Sequence, residues 1–90
     1  MNRVQPQNLV TINSKEDLDT MSVLMTDLDI SSDCCNDADL TVLDLTGHSL
    51  LIRMSVGVNS LKNVTKIDAS DSFLLREMIV GDGSLIRINE

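Results

Sequence analysis

Aromatic side chains are almost missing: the 90 residues contain no Trp, no Tyr and one Phe, Phe73. A single domain of this length buries roughly 65% of its unfolded surface, so a core is affordable only if it is aliphatic, built from Leu, Ile, Val and Met. Cations are scarce too, seven Lys and Arg against fourteen Asp and Glu, for a net charge of −7. That balance argues against nucleic acid or an anionic membrane as partner, since both need a cationic face. Long apolar runs are lacking: the longest are about four or five residues, far below the roughly twenty that span a bilayer, and no apolar stretch follows the N-terminus in signal-peptide style. The expectation is a soluble, cytoplasmic protein. Cysteine is limited to the adjacent Cys34 and Cys35. A metal site needs more soft ligands than two neighbours and one distant histidine, and a vicinal disulfide is a strained ring. Cys35 therefore reads as a small buried core residue and Cys34 as a corner residue, with redox sensing as the alternative.

The acids are unevenly placed. Through Leu45 two cations (Arg3, Lys15) face nine anions, and beyond it five cations balance five anions. Eleven of the fourteen acids are Asp, a residue of turns and helix starts, which implies a solvated, turn-rich first half. A calcium loop from Asp33, Asn36, Asp37 and Asp39 is the sharper reading. The spacing speaks against it, because Ala38 interrupts the ligand series and neither the Gly nor the bidentate Glu follows.

An internal repeat is present. LLIRMSVGVNSL (residues 50–61) laid on LLREMIVGDGSL (74–85) gives seven identities in twelve at an offset of 24, and TVLDLTG (41–47) falls on TKIDASD (65–71) in the same register. Each unit holds two apolar-x-apolar cores, the period-two mark of a strand with one buried face. They are Leu28-Asp29-Ile30, Leu43-Asp44-Leu45, Met54-Ser55-Val56, Ile67-Asp68-Ala69 and Met78-Ile79-Val80, with a sixth starting at Arg87. The links are too short for an ordinary crossover helix between every pair. Gly57 and Gly81 each follow a strand, where a corner needs positive φ or close backbone approach. Asp33, Asn59 and Gly83 take the same place in the next turn. Leu9 to Ile12 reads as an opening strand. Ser14-Lys15-Glu16-Asp17 has a helix-capping form, followed by Leu18, Met21, Leu24 and Met25 on one helical face.

The segments MSVGVNSL and MIVGDGSL, the link KNVTKIDAS and above all DCCNDADLTVLDLTG resemble the irregular leucine-rich-repeat proteins of microbial eukaryotes, over about residues 10–90. The resemblance implies a non-catalytic protein-protein interaction module or a fragment of one, without cofactor or metal. The expected fold is a β-rich (α+β) solenoid, leucine-rich-repeat-like, of about three coils of about 24 residues each. Residues 1–26 would form an N-terminal segment with a short helical cap over the open end, and 27–90 the repeats. The outward residue of each strand core is the candidate interaction surface: Asp29, Ser55 and Ile79 on one sheet, Asp44 and Asp68 on the other. Acids on it point to a basic protein partner. The last strand, uncovered, points to self-association through the C-terminal edge.

Catalytic constellations are weak. His48 with Asp44 and Ser49 lacks an oxyanion-hole motif and reads as an exposed corner histidine. Gly81-Asp82-Gly83 lacks the setting of a phosphate loop. Asn63-Val64-Thr65 satisfies a glycosylation sequon but reads as an unmodified link. The expectation is no enzyme. A second reading is a small α/β regulatory domain: LTVLDLTG resembles the central strand of anti-sigma-antagonist-like phosphoswitch modules, with Ser49 as acceptor. It requires long helices after Gly47 and after Ala69, segments without sustained helical periodicity.

Overall fold

The computed structural model describes residues 8–88. Along the chain come β1 (Leu9–Ile12), α1 (Lys15–Asp19), β2 (Asp27–Ile30), β3 (Val42–Asp44), β4 (Arg53–Val56), β5 (Lys66–Asp68) and β6 (Glu77–Val80). Every strand pairing is parallel. One sheet has the order β1-β2-β4-β6 and the second consists of β3-β5. Parallel neighbours cannot be joined by a hairpin, so the chain leaves the large sheet after β2 and after β4 and crosses through β3 and β5 before returning.

Strand alternation aims Ile12, Leu28, Ile30, Met54 and Val56 of the large sheet inward, where they meet Leu43 and Leu45 at the small sheet and Met25, Leu51, Leu61 and Val64 from the connections. All are buried and all are aliphatic. Each contributes about 1.5–3 kcal/mol by leaving water, which is how the fold manages without aromatics. The radius of gyration, 12.8 Å, is close to the roughly 12 Å of a compact chain of this length.

The corners are backbone devices. Asp33, Asn59 and Gly83 have positive φ, and so do Cys35, Leu61 and Leu85 two residues later. A left-handed backbone costs a branched or bulky residue about 1–2 kcal/mol, so these corners need support. Buried serines supply it. Ser60 Oγ donates to the Ser31 carbonyl at 2.6 Å and accepts the Cys34 N–H at 3.2 Å. Ser84 Oγ donates to the Gly57 carbonyl and accepts the Ser60 N–H at 2.8 Å. Gly57 and Gly81 serve close approach and not positive φ: a Cβ on Gly57 would lie 2.5 Å from the Ser32 nitrogen, and one on Gly81 would lie 2.6 Å from the Val58 nitrogen.

The expected β-rich, leucine-rich-repeat-like solenoid of about three 24-residue coils is overturned: the chain is a small α/β domain with two parallel sheets. The large sheet has four strands and the small one only two, so the second sheet never accumulates three coils. Nor is the spacing uniform. Partners lie 18 residues apart between β1 and β2 (Leu9 to Asp27), 26 between β2 and β4 (Asp27 to Arg53) and 24 between β4 and β6 (Arg53 to Glu77). The physical cause sits in residues 13–26, where Ser, Thr and Asp side chains bond to nearby backbone and favour local turns over a further strand.

The helical cap is corrected with it. α1 spans five residues and lies in the connection from β1 to β2, while β1 itself is the outer strand, so the large sheet runs across the boundary expected at residue 26. The Ser14 side chain makes no cap bond; Asp17 Oδ2 instead accepts the Asn13 N–H at 2.9 Å. The helix does not continue along Met21, Leu24 and Met25, because Ser22 starts a competing turn: its Oγ accepts the Leu24 N–H and its carbonyl the Met25 N–H. Cys35 is buried as expected, Cys34, read as a corner residue, is buried beside it, and the two are bonded to each other. The sixth strand core runs into residues 89–90, outside the described residues; Arg87 and Ile88 lie in no strand.

Gly57→Ala is expected to lower the melting temperature by about 10 °C, since backbone and not a flexible side chain must move. Gly47, at φ 82° with nothing within 4 Å of an added Cβ, carries backbone strain alone, and Gly47→Ala is expected to cost about half as much. Thermal melts of the two variants check the order.

Candidate interaction surface

The parallel register places the outward side chains of the large sheet in two rows across the strands. Leu9, Asp27, Arg53 and Glu77 form one; Thr11, Asp29, Ser55 and Ile79 form the other. The three expected surface residues Asp29, Ser55 and Ile79 thus stand side by side, Asp29 and Ile79 exposed and Ser55 half-buried. Asp44 and Asp68 are direct partners in the small sheet.

The two rows differ in what their charges are doing. Arg53 sits between two acids of the first row, its Nη1 2.8 Å from Asp27 Oδ2 and its Nε 3.1 Å from Glu77 Oε1. The Arg53 hydrogen bond holds the Asp27 carboxyl below its ordinary value; partial desolvation opposes it, and the Thr26 hydroxyl, 2.8 Å from Oδ1, adds to it. Asp27 in turn, and then Glu77, raise the Arg53 pKa. In the second row Asp29 forms no side-chain hydrogen bond or ion pair among the described residues. Its carboxylate remains available to a ligand.

In the small sheet the carboxylates are occupied. Asp44 Oδ1 accepts the Thr46 hydroxyl at 2.6 Å and the Thr46 N–H at 2.9 Å, which lower its pKa in that order of size. Asp68 Oδ1 accepts the Ser70 hydroxyl at 2.8 Å and the Ser70 N–H at 3.2 Å. Both close the turn after their strand. Asp71 accepts the Gly47 N–H at 2.8 Å and ties the two turns together. The expected surface therefore divides: Asp29, Ser55 and Ile79 present side chains outward, while Asp44 and Asp68 hold their own corners.

Sequence reasoning passed over Asp27, Arg53 and Glu77. Their signal was legible as the alternation of acid, base and acid at the first position of DLDI, RMSV and EMIV. His48 was expected exposed and is buried, its Nδ1 without a hydrogen-bond partner and its carbonyl accepting the Ser72 hydroxyl at 3.1 Å. Ser49 is exposed, and no helix follows Gly47 or Ala69 among the described residues, as the phosphoswitch reading requires. The Asn63 amide of the sequon donates to the Asn36 carbonyl at 2.7 Å. Among the described residues no group of three or more His, Cys, Asp or Glu is placed to hold a metal ion, and no helix is long and apolar enough to cross a membrane.

Comparison with known proteins gives no match to a family model, to a curated protein or to a solved structure.

The lowered Asp27 pKa means that its bond to Arg53 stabilises the fold above the ordinary value of 3.8 and is lost as pH falls through the lower folded value. In Arg53→Met the Asp27 titration midpoint, followed by carboxyl NMR, is expected to rise. The melting temperature is expected to fall by about a few degrees at neutral pH, with the difference from wild type shrinking once the pH drops below the folded midpoint.

Proposed function

We propose that the chain is a non-catalytic protein-interaction module that docks a basic partner protein on the second outward row of its large sheet. The observation that carries this reading is Asp29: an exposed carboxylate with no partner among the described residues, in register with the Thr11 and Ser55 hydroxyls and the exposed apolar Ile79. Neighbouring strands lie about 4.8 Å apart, so the row presents four side chains over roughly 14 Å, the reach of an extended tetrapeptide or one face of a short helix. One acid, two hydroxyls and one apolar end suit a segment with a Lys or Arg placed near an apolar residue.

The excess of anions before residue 46 gives long-range attraction to such a partner and repels nucleic acid and anionic membrane. In the first row Arg53 is bonded to both Asp27 and Glu77, so the three charges sum to −1 and both acids are already engaged. Recognition and steering are thus separable: Asp29 acts at contact, and the remaining exposed acids act at a distance. No step of the reading needs a reacting group, and neither His48, enclosed in the core, nor Ser49, without a base beside it, supplies one.

Titration of the 15N-labelled chain with a Lys-rich peptide tests it. Shifts are expected at Thr11, Asp29, Ser55 and Ile79, with affinity falling as salt rises; Asp29→Lys is expected to weaken binding about tenfold or more. Shifts confined to the β3-β5 face, or unchanged binding by Asp29→Lys, would overturn the assignment.

A further inference from the structure

The two ends of the large sheet are unequal in what they leave uncovered, and the repeat makes the difference measurable. Met54 and Met78 are equivalent residues on adjacent strands, yet Met54 is 1% exposed and Met78 43%. Val56 and Val80 repeat the contrast at 2% and 43%. Leu51, Leu61 and Val64 are fully buried, whereas their counterparts Leu75, Leu85 and Ile88 are only partly so. Beside them stand Phe73 at 81% and Ile86 at 64%. Met78 and Val80 are the counterparts of core side chains, and no described residue covers them.

The edge of β6 is open in its backbone as well. The Gly81 N–H donates to the Val56 carbonyl and the Glu77 N–H points to the Ile52 carbonyl, so residues 77, 79 and 81 face β4. By alternation the N–H and C=O groups of Met78 and Val80 point away from the sheet, where no described strand meets them.

The geometry points to a second copy of this chain as the occupant, paired antiparallel through β6 about a two-fold axis at Ile79. Three features select that partner and register. First, a strand whose bonding groups sit at residues 78 and 80 is complementary to itself: Met78 of one copy faces Val80 of the other, both N–H to O=C bonds of each pair form, and the apolar sides of the two sheets fall on the same side. Second, Arg76 immediately precedes β6 and Asp82 lies in the turn just past it, both exposed, so the antiparallel register brings the Arg76 end of each copy to the Asp82 end of the other. Sliding one copy by two residues in either direction moves these ends apart. Third, Glu77 is held by Arg53, and Arg76 and Arg87 stand against Asp82, so a chain of net charge −7 has at this end a face without excess acid on which two copies meet. The pairing joins the uncovered Met78 and Val80 of both copies into one continuous layer. A two-fold contact is closed, so association stops at the dimer.

Light scattering from micromolar to millimolar chain is expected to show the mass rising from 9.9 kDa to twice that value and no further. A constant monomer overturns the proposal, and open-ended growth overturns it in favour of β6 meeting β1 of the next copy. Register is tested separately. Ile79→Cys is expected to cross-link the dimer under a mild oxidant, because residues on the axis of a non-hydrogen-bonded pair have Cα atoms about 4.5 Å apart. Arg76→Asp is expected to weaken dimerisation about tenfold, and Arg76→Asp with Asp82→Arg to restore it. Both residues are exposed, and unchanged monomer melts confirm that the variants fold. Failure of the cross-link, or of the charge swap to restore the dimer, overturns the register.

Discussion

Each strand of the large sheet supplies two inward side chains, and they are buried where chain lies against both edges: a strand on each side for β2 and β4, and for the outer strand β1 the connection that carries Leu18, Met21 and Met25, beside which Ile12 is fully buried. Leu28 and Ile30 have β1 and β4 beside them and are buried; Met54 and Val56 have β2 and β6 and are buried; Met78 and Val80 have β4 alone and are half in water. With strands of three or four residues and an aliphatic core, lateral cover completes the cover that the small sheet and the connections give from the inner face. The rest of the architecture serves to bring the next strand back into that cover. Glycines at 57 and 81 let successive backbones approach, and left-handed residues at 59 and 61 and again at 83 and 85 reverse the chain. Ser60 and Ser84 then fasten each corner to the one beside it.

The period-two cores, their spacing and the corners at 33, 59 and 83 could all be read from the chain, because each is written locally in residue type. So could the division of the strands at 29, 55 and 79 from those at 44 and 68 into two sheets. The place of β1 and of the segment after it could not. Whether a segment such as 13–26 becomes another strand or a turn is decided by competition between Ser, Thr and Asp side chains and the ladder, and the apolar face of Leu18, Met21 and Met25 looks the same in either outcome. The 24-residue step of the second half and the 26-residue step before it can be read from the alignment of the strand cores, whereas the 18-residue step from β1 to β2 cannot. The misplaced histidine has another cause. His48 was put outside on the general habits of corners, but it follows Gly47, whose φ is positive, and lies buried.

The candidate surface was half legible for a related reason. Alternation identifies which residues point away from the core; it does not say which of them are already engaged. Asp44 and Asp68 repeat at the same place as Asp29 in their strands, yet each is followed two residues later by a hydroxyl, and the Asp-x-Thr and Asp-x-Ser pairs close turns. Asp29 is followed at that distance by Ser31, whose hydroxyl donates to Asn13 Oδ1 at 2.6 Å instead. One competing bond from the previous connection separates an acid that caps a corner from an acid left to face a partner.

The partner-binding row and the uncovered end meet at Ile79, the outward residue of the last strand. A two-fold contact through β6 lays the row of one copy end to end with that of the other, Thr11, Asp29, Ser55 and Ile79 followed by the same four in reverse. Two Asp29 carboxylates then stand symmetrically about an apolar centre made of two Ile79 side chains. A surface that is short in one chain becomes eight residues long, and its symmetry suits a partner with two basic segments, whose second contact is made at high local concentration. Dimerisation and binding are then linked through a shared residue: a partner that covers Ile79 on both copies stabilises the dimer by its differential affinity for it, and the dimer raises the partner's affinity by the same factor.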